Sequence, residues 1–162
     1  MTGVLLRPLL PGELADARPS DGGFDDFGPR PGYASPPPCS LDEPGAMAVL
    51  AGGRLAGSVS WIWQRWGPNH GSRCPMIGIW LAPEHRGHGY GTQAQSQLVD
   101  LLFRHTPANR VEAHTDVDNR PERRALEKAG FTAEGVVRGA QWRDGDWRDG
   151  VLYSVLRAER GA

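Results

Sequence analysis

Arg86-Gly87-His88-Gly89-Tyr90-Gly91 is the stretch that decides the fold of this chain. The apolar residues 76–81 before it read as a strand, which Pro83 ends, and residues 92–103 after it read as an amphipathic helix. A strand, a glycine-rich turn and a helix start together make a phosphate-binding device. The first N–H groups of a helix have no partner within it and point outward at an anion. Glycines lack a Cβ and tolerate positive φ, so they let the backbone approach the ligand. The segment therefore predicts a seat for a phosphate-bearing cofactor.

Working outward, residues 4–9 read as a first strand, and 47–51, Gly52-Gly53 and 55–63 as a hairpin with a tight turn. The helix at 92–103 sets Ala94, Leu98, Leu101 and Leu102 on one face. Residues 110–115 read as a further strand. Asn119-Arg120-Pro121-Glu122 carries the marks of a helix start, with Asn as N-cap, an early Pro and Glu at the third position; Gly130 closes that helix with Phe131 folding back. Residues 133–142 and 147–156 make a last hairpin around Arg143-Asp144-Gly145-Asp146. The order is β, loop, β-β-β, α, β, α, β-β, which predicts a mixed α/β domain over residues 1–162. Residues 19–45 stand apart as an acidic loop rich in Pro and Gly, and a loop this long in a compact domain is commonly functional or disordered.

Composition narrows the function. The chain has 162 residues, 39% of them hydrophobic, and a net charge of -1. It holds no run of apolar residues long enough to span a membrane and no dense basic block, so neither a membrane nor a nucleic-acid partner is expected. Its start lacks the basic and apolar segments of a signal peptide, and the expected location is cytoplasmic. Cys39, Cys74, His70, His85, His88 and His105 show no metal-ligand spacing, so no metal is expected. The glycine turn lacks the lysine of a P-loop, and its spacing is wrong for a dinucleotide fingerprint.

The turn does fit Arg/Gln-x-x-Gly-x-Gly/Ala, through Arg86, Gly89 and Gly91. Ile79-Trp80-Leu81-Ala82-Pro83-Glu84-His85-Arg86-Gly87-His88-Gly89-Tyr90-Gly91-Thr92, then Asp118-Asn119, Ala125-Leu126-Glu127-Lys128-Ala129-Gly130-Phe131, Glu134-Gly135 and Gly145-Asp146-Trp147-Arg148-Asp149, stand in order on the expected elements. Over residues 46–158 the chain resembles the GNAT acyltransferase superfamily, and within it the ribosomal-protein N-acetyltransferase-like (RimJ/RimL-type) branch. The resemblance implies a mostly antiparallel central sheet with flanking helices and a cofactor cleft where the fourth and fifth strands splay. It also implies acetyl-CoA, or another acyl-CoA, as co-substrate. The backbone of Ile79, Trp80 and Leu81 would hold the pantetheine arm, with Leu81 as donor to the acyl oxygen. Arg86, Gly87, His88, Gly89, Tyr90, Gly91 and Thr92 would hold the pyrophosphate. Asn119 matches a position that contacts the arm, besides its capping role. Arg120, Arg123 and Arg124 read as a solvated helix face. In many relatives a tyrosine on the second helix protonates the departing thiolate; Leu126 fills that place here.

An amine must lose a proton to attack a thioester, so a base is required within reach. Alternation along 110–115 puts Glu112 and His114 on one side. His114 has a suitable intrinsic pKa and matches a proton-relay glutamate of some relatives; Glu112 and Asp116 are its rivals. On the acceptor side, Asp25 and Asp26 between Phe24 and Phe27 suit a protonated amine with an apolar body. Trp61 and Trp63 share a strand face and serve either as packing or as the acceptor wall. The activity expected is acyl transfer to a primary amine, of a small molecule or of a protein N-terminus, by a monomer or homodimer. The alternatives are a non-catalytic CoA-binding module and a transferase using a carrier-protein or tRNA-linked acyl donor.

Overall fold

The computed structural model describes residues 3–13, 23–24, 26–28 and 35–161. Seven strands form one sheet: β1 (Val4–Pro8), β2 (Gly45–Ala51), β3 (Arg54–Arg65), β4 (Arg73–Leu81), β5 (Arg110–Asp116), β6 (Thr132–Arg143) and β7 (Asp146–Leu156). They lie in the order β1-β2-β3-β4-β5-β7-β6. Two helices, α1 (Tyr90–His105) and α2 (Arg120–Lys128), complete the element order expected from the sequence. All neighbouring strands pair antiparallel except β4 and β5, which run parallel.

Local chemistry explains the turns. Gly52 and Gly53 both take positive φ, 58° and 77°, and so form the tight two-residue link that matches strand twist between β2 and β3. At the end of α2, Phe131 N–H bonds Leu126 O and Gly130 N–H bonds Glu127 O, both at 3.0 Å, with Gly130 at φ 91°. These are the two bonds of a Schellman motif, and they satisfy carbonyls that the helix leaves open.

The core lies between the sheet and the helices. On α1 the buried residues are Ala94, Gln95, Leu98, Val99, Leu102 and Phe103. Each fully buried Leu, Val or Phe side chain there contributes about 1.5–3 kcal/mol. Leu101, expected on this face, is only half-buried: at 100° per residue it turns to the edge of the stripe, and Val99 and Phe103 take its place. The helix is also longer than its apolar pattern, because Thr106 Oγ1 extends the end by bonding Leu102 O at 2.7 Å. Across the sheet edge, Gln93 Oε1 accepts from Val4 N–H at 3.2 Å and Gln97 Nε2 donates to Val4 O at 2.9 Å. The other edge, β6, is exposed and interrupted by two register shifts, a device that keeps an open edge from pairing with another chain. Among the described residues no helix is long and apolar enough to cross a membrane.

Candidate active site

β4 ends beside β3, where Ala82 N–H bonds Ala56 O at 2.9 Å. One turn of 3-10 helix at Pro83–His85 leads to Arg86. Its Nε donates to Leu81 O at 2.8 Å and its guanidinium lies 5.8 Å from the Trp80 ring centre. The chain therefore folds back over the end of the strand it has just left. Gly87 and Gly89 both take φ 78°, with nothing within 4 Å of where a Cβ would stand. Gly89 is the N-cap of α1 and has no side chain to close it. Gln93 makes the first helical bond, to Gly89 O at 3.2 Å, so the N–H groups of Gly89, Tyr90, Gly91 and Thr92 have no partner inside the helix. Gly91 differs from its neighbours. It is helical, and a Cβ there would meet Leu81 and Ile79 at ordinary contact, 3.7 and 3.8 Å. Positive φ is therefore not what Gly91 supplies.

β4 and β5 pair only at Met76↔Glu112 and Ile77↔Ala113. Beyond Ile77 the strands part, which is the splay expected between the fourth and fifth strands. The gap opens into a cavity of about 240 Å³. Its lining includes Ile79 and Trp80 from β4, His114 and Asp116 from β5, Gln95 from α1, Glu122 from α2 and its cap Asn119. A turn of unbonded N–H groups beside a gap between parted strands fits a long cofactor with a diphosphate at one end and an amide-bearing arm. A buried acceptor in the gap, Gln95 Oε1, has no partner and is open to such an arm. Asn119 caps α2, its Oδ1 accepting from Glu122 N–H at 3.4 Å, while its Nδ2 donates to Thr115 Oγ1 at 3.1 Å.

The three base candidates stand in different company. Glu112, 1% exposed, pairs with Arg110 at 2.8 Å and accepts from Trp66 Nε1 at 2.5 Å. It lines a second cavity with Trp66 and Met76, not the gap. Asp116 is in a buried ion pair with Arg143 and accepts from Asp118 N–H at 2.7 Å. His114 touches both cavities. Gln141 Nε2 lies 3.2 Å from its Nδ1; with the amide in this orientation Nδ1 accepts and the neutral ring carries its proton on Nε2. Nε2 is buried, without a partner, against Gly150. Burial pushes the His114 pKa below its ordinary value, and Asp116 pulls it partly back. The ring is thus neutral at neutral pH and holds a lone pair on Nδ1.

On the acceptor side Phe24 and Phe27 line the cavity. Asp26 is held through its backbone, its carbonyl accepting from Asp144 N–H at 3.1 Å, and its side chain is not part of the cavity wall. Asp25 lies outside the described residues. Trp61, 1% exposed, donates to Glu43 O at 2.6 Å. Trp63 donates to Leu41 O at 3.2 Å beneath the Arg73 guanidinium. Both belong to the packing of β3 and are absent from the cavity wall. Sequence reasoning missed Gln95, Gln141, Ser60 and Glu122, all of which line the gap. Only Glu122 left a signal, and that was a capping signal.

A family model described as an acetyltransferase (GNAT) domain matches residues 40–132. YdaF of Bacillus subtilis (strain 168), provisionally named a ribosomal N-acetyltransferase, is 36% identical over 88 residues, which is 54% of this chain and 48% of YdaF. The chain spans about half the length of the curated relatives it matches. Among solved structures, RimJ of Mycobacterium smegmatis in complex with a CoA-disulfide superposes with a TM-score of 0.65. The identity is 26%, covering 72% of this chain and 55% of that one. The microcin self-immunity acetyltransferase MccE, in complex with acetyl-CoA and AMP, gives 0.62 at 25% identity, over 71% of this chain and 62% of that one.

Proposed function

The chain belongs to the GNAT acetyltransferase family, and from that premise we propose that it transfers an acyl group, acetyl in the simplest case, from acyl-CoA to a primary amine. The observation that carries the reading is the parting of β4 and β5 beyond Ile77 and Ala113, together with the unbonded N–H groups at the start of α1, which adjoin the gap where Gly91 meets Ile79. Those N–H groups, with Arg86 and His88 beside them, would hold the diphosphate of CoA. The strand ends at Ile79, Trp80 and Leu81, with Gln95 across the gap, would hold its arm, while Asn119 is taken up in capping α2 and in its bond to Thr115. When bound, the thioester supplies an activated acyl group. Most of the rate then comes from holding the amine against it in a fixed orientation, and a backbone donor at Leu81 would meet charge on the acyl oxygen.

His114 accepts the amine's proton. It is the one base candidate not committed to an ion pair, and its Nδ1 lone pair faces Gln141, which an entering amine can displace. Phe24 and Phe27 supply an apolar wall for the body of the acceptor, and Asp25 and Asp26 the charge that draws it in. The name of the YdaF relative, a ribosomal N-acetyltransferase, favours an amine of a ribosomal component, for which a protein N-terminus is our choice, over a small-molecule amine. The cytoplasm, where ribosomal proteins are made, is the corresponding location.

Purified protein titrated calorimetrically with acetyl-CoA, then incubated with acetyl-CoA and a panel of amines and N-terminal peptides under a thiol reagent, tests the reading. Saturable binding and amine-dependent thiol release are expected. Binding without thiol release for any amine would leave a CoA-binding module, and absence of binding would remove the reading altogether.

A further inference from the structure

Forming an amide from a thioester expels a sulphur anion, and the cleft must supply it with a proton. Few ionisable side chains line the gap. Asp116 is committed to its pair with Arg143. His114 is neutral and is needed to receive the amine's proton. Leu126, 1% exposed in the core, has none to give. One turn before Leu126, on the same face of α2, stands Glu122.

Glu122 is held without being neutralised. Gln95 Nε2 donates to its Oε1 at 2.8 Å, and no cation among the described residues pairs with it. Gln95 is itself 1% exposed, so the pair is fixed from the core side while the carboxyl faces the gap. Burial pushes the Glu122 pKa up to about 7, with the Gln95 hydrogen bond pulling the other way. At neutral pH a large share of the molecules therefore carry a proton at this site, the condition that suits a general acid. The side chain also lies opposite the base. α2 packs on the face of β5 that carries Val111 and Ala113, whereas His114 alternates to the other face, and both line the same gap.

We propose that Glu122 is the proton donor to the departing sulphur, resting on the reading of the gap as an acyl-CoA site. The amine nitrogen forms its bond to the acyl carbon and the carbon–sulphur bond breaks, leaving its electron pair on sulphur. The Glu122 carboxyl proton goes to that sulphur, giving a thiol and a carboxylate. The amine's surplus proton passes to His114 Nδ1 and on to solvent, and the carboxylate takes a proton back from water. Amine and proton donor thus work from the two sides of one split sheet.

The test needs no acceptor. Wild type and Glu122→Gln, which keeps the shape and the bond to Gln95, are titrated calorimetrically with CoA and with desulfo-CoA on either side of neutral pH. In wild type the ratio of the two affinities should change by about tenfold across neutrality, as the carboxyl loses the proton it shares with sulphur. In Glu122→Gln both ligands should still bind, and the ratio should be independent of pH. An unchanged pH dependence in the variant overturns the proposal. If the variant does not fold, the carbon-13 carboxyl titration of Glu122 in wild type decides. A midpoint moved by CoA and not by desulfo-CoA supports the role, and equal midpoints overturn it. Failure of wild type to bind either ligand strikes the CoA reading itself, and this proposal falls with it. With an amine that is acetylated, Glu122→Gln should lower kcat about a hundredfold and remove the alkaline limb of its pH profile, with KM for acetyl-CoA unchanged.

Discussion

The two helices that flank the gap begin in opposite ways. α1 starts at Gly89, in the left-handed region and without a capping side chain; α2 starts at Asn119, whose own oxygen takes the N–H of Glu122. One N-terminus is left open and the other is closed from within. An open helix start costs stability and is retained where a ligand fills it. A closed one supports the helix and frees its first turn to position side chains, here Glu122. The contrast assigns the anion to α1 and the side-chain chemistry to α2.

The largest effect should come from closing α1 as α2 is closed. Gly89→Asp puts a carboxylate where the diphosphate would sit, in a backbone region that Asp tolerates better than most residues. Acetyl-CoA affinity by calorimetry should fall about a thousandfold, roughly 4 kcal/mol. Gly89→Asn, of the same shape without the charge, should lose less. Equal losses would mean that space and not charge defines the seat.

Glu122 gives the next effect, on stability. Its pKa rises from 4.5 to about 7 on folding, because burial disfavours the charged form. As pH rises from 4.5, the unfolded chain releases this proton first, so stability falls until pH about 7 and then levels off. The loss is about 3 kcal/mol. In denaturant unfolding at a series of pH values, Glu122→Gln should lack this decline, and parallel curves for the two proteins would show that the carboxyl is not buried as described.

A smaller effect concerns the strand between the helices. A Cβ at Gly150 would come within 2.0 Å of His114 Nε2, so Gly150→Ala must push the imidazole from its seat. kcat should fall about tenfold while acetyl-CoA affinity stays, since a misplaced base costs rate and not cofactor binding. Smallest is Asn119→Ala, which removes the cap of α2 at a cost of about 1 kcal/mol and should leave acetyl-CoA affinity close to wild type. A tenfold loss of affinity there would make the second helix start a cofactor contact and weaken the contrast.

The cofactor side was legible in the sequence because it is built from consecutive backbone. Positive φ at Gly87 and Gly89, the strand before them and the helix after them all lie within residues 76–103. The turn at Gly52-Gly53 and the end of α2 at Gly130 were legible for the same reason. The acceptor side was not. Phe24, Ser60, His114 and Gln141 reach one cavity from four distant segments, and no spacing rule connects them. Alternation along β5 makes Glu112 only a rival to His114 as base, and it cannot reveal that Arg110 and Trp66 cover that carboxylate. Glu122 was read only as the third residue of a helix start, and its place beside Gln95, 27 residues away, had no local trace. Trp61 and Trp63 share a strand face as expected, but their indole N–H groups are tied to Glu43 and Leu41.

The sheet is joined at its middle by only two residue pairs. To one side lie β1 to β4 with α1 against them; to the other lie β5, β7 and β6 with α2. The helices meet through Gln95 and Glu122 and through Thr92 and Ala125. The molecule is therefore two leaves on a short hinge, each made from one continuous length of chain, and a ligand lying in the gap is a staple between them. One core already runs under both leaves, and Arg157 and Arg160 tie the second leaf to α1; the ligand's binding energy adds to those ties and stabilises both leaves at once.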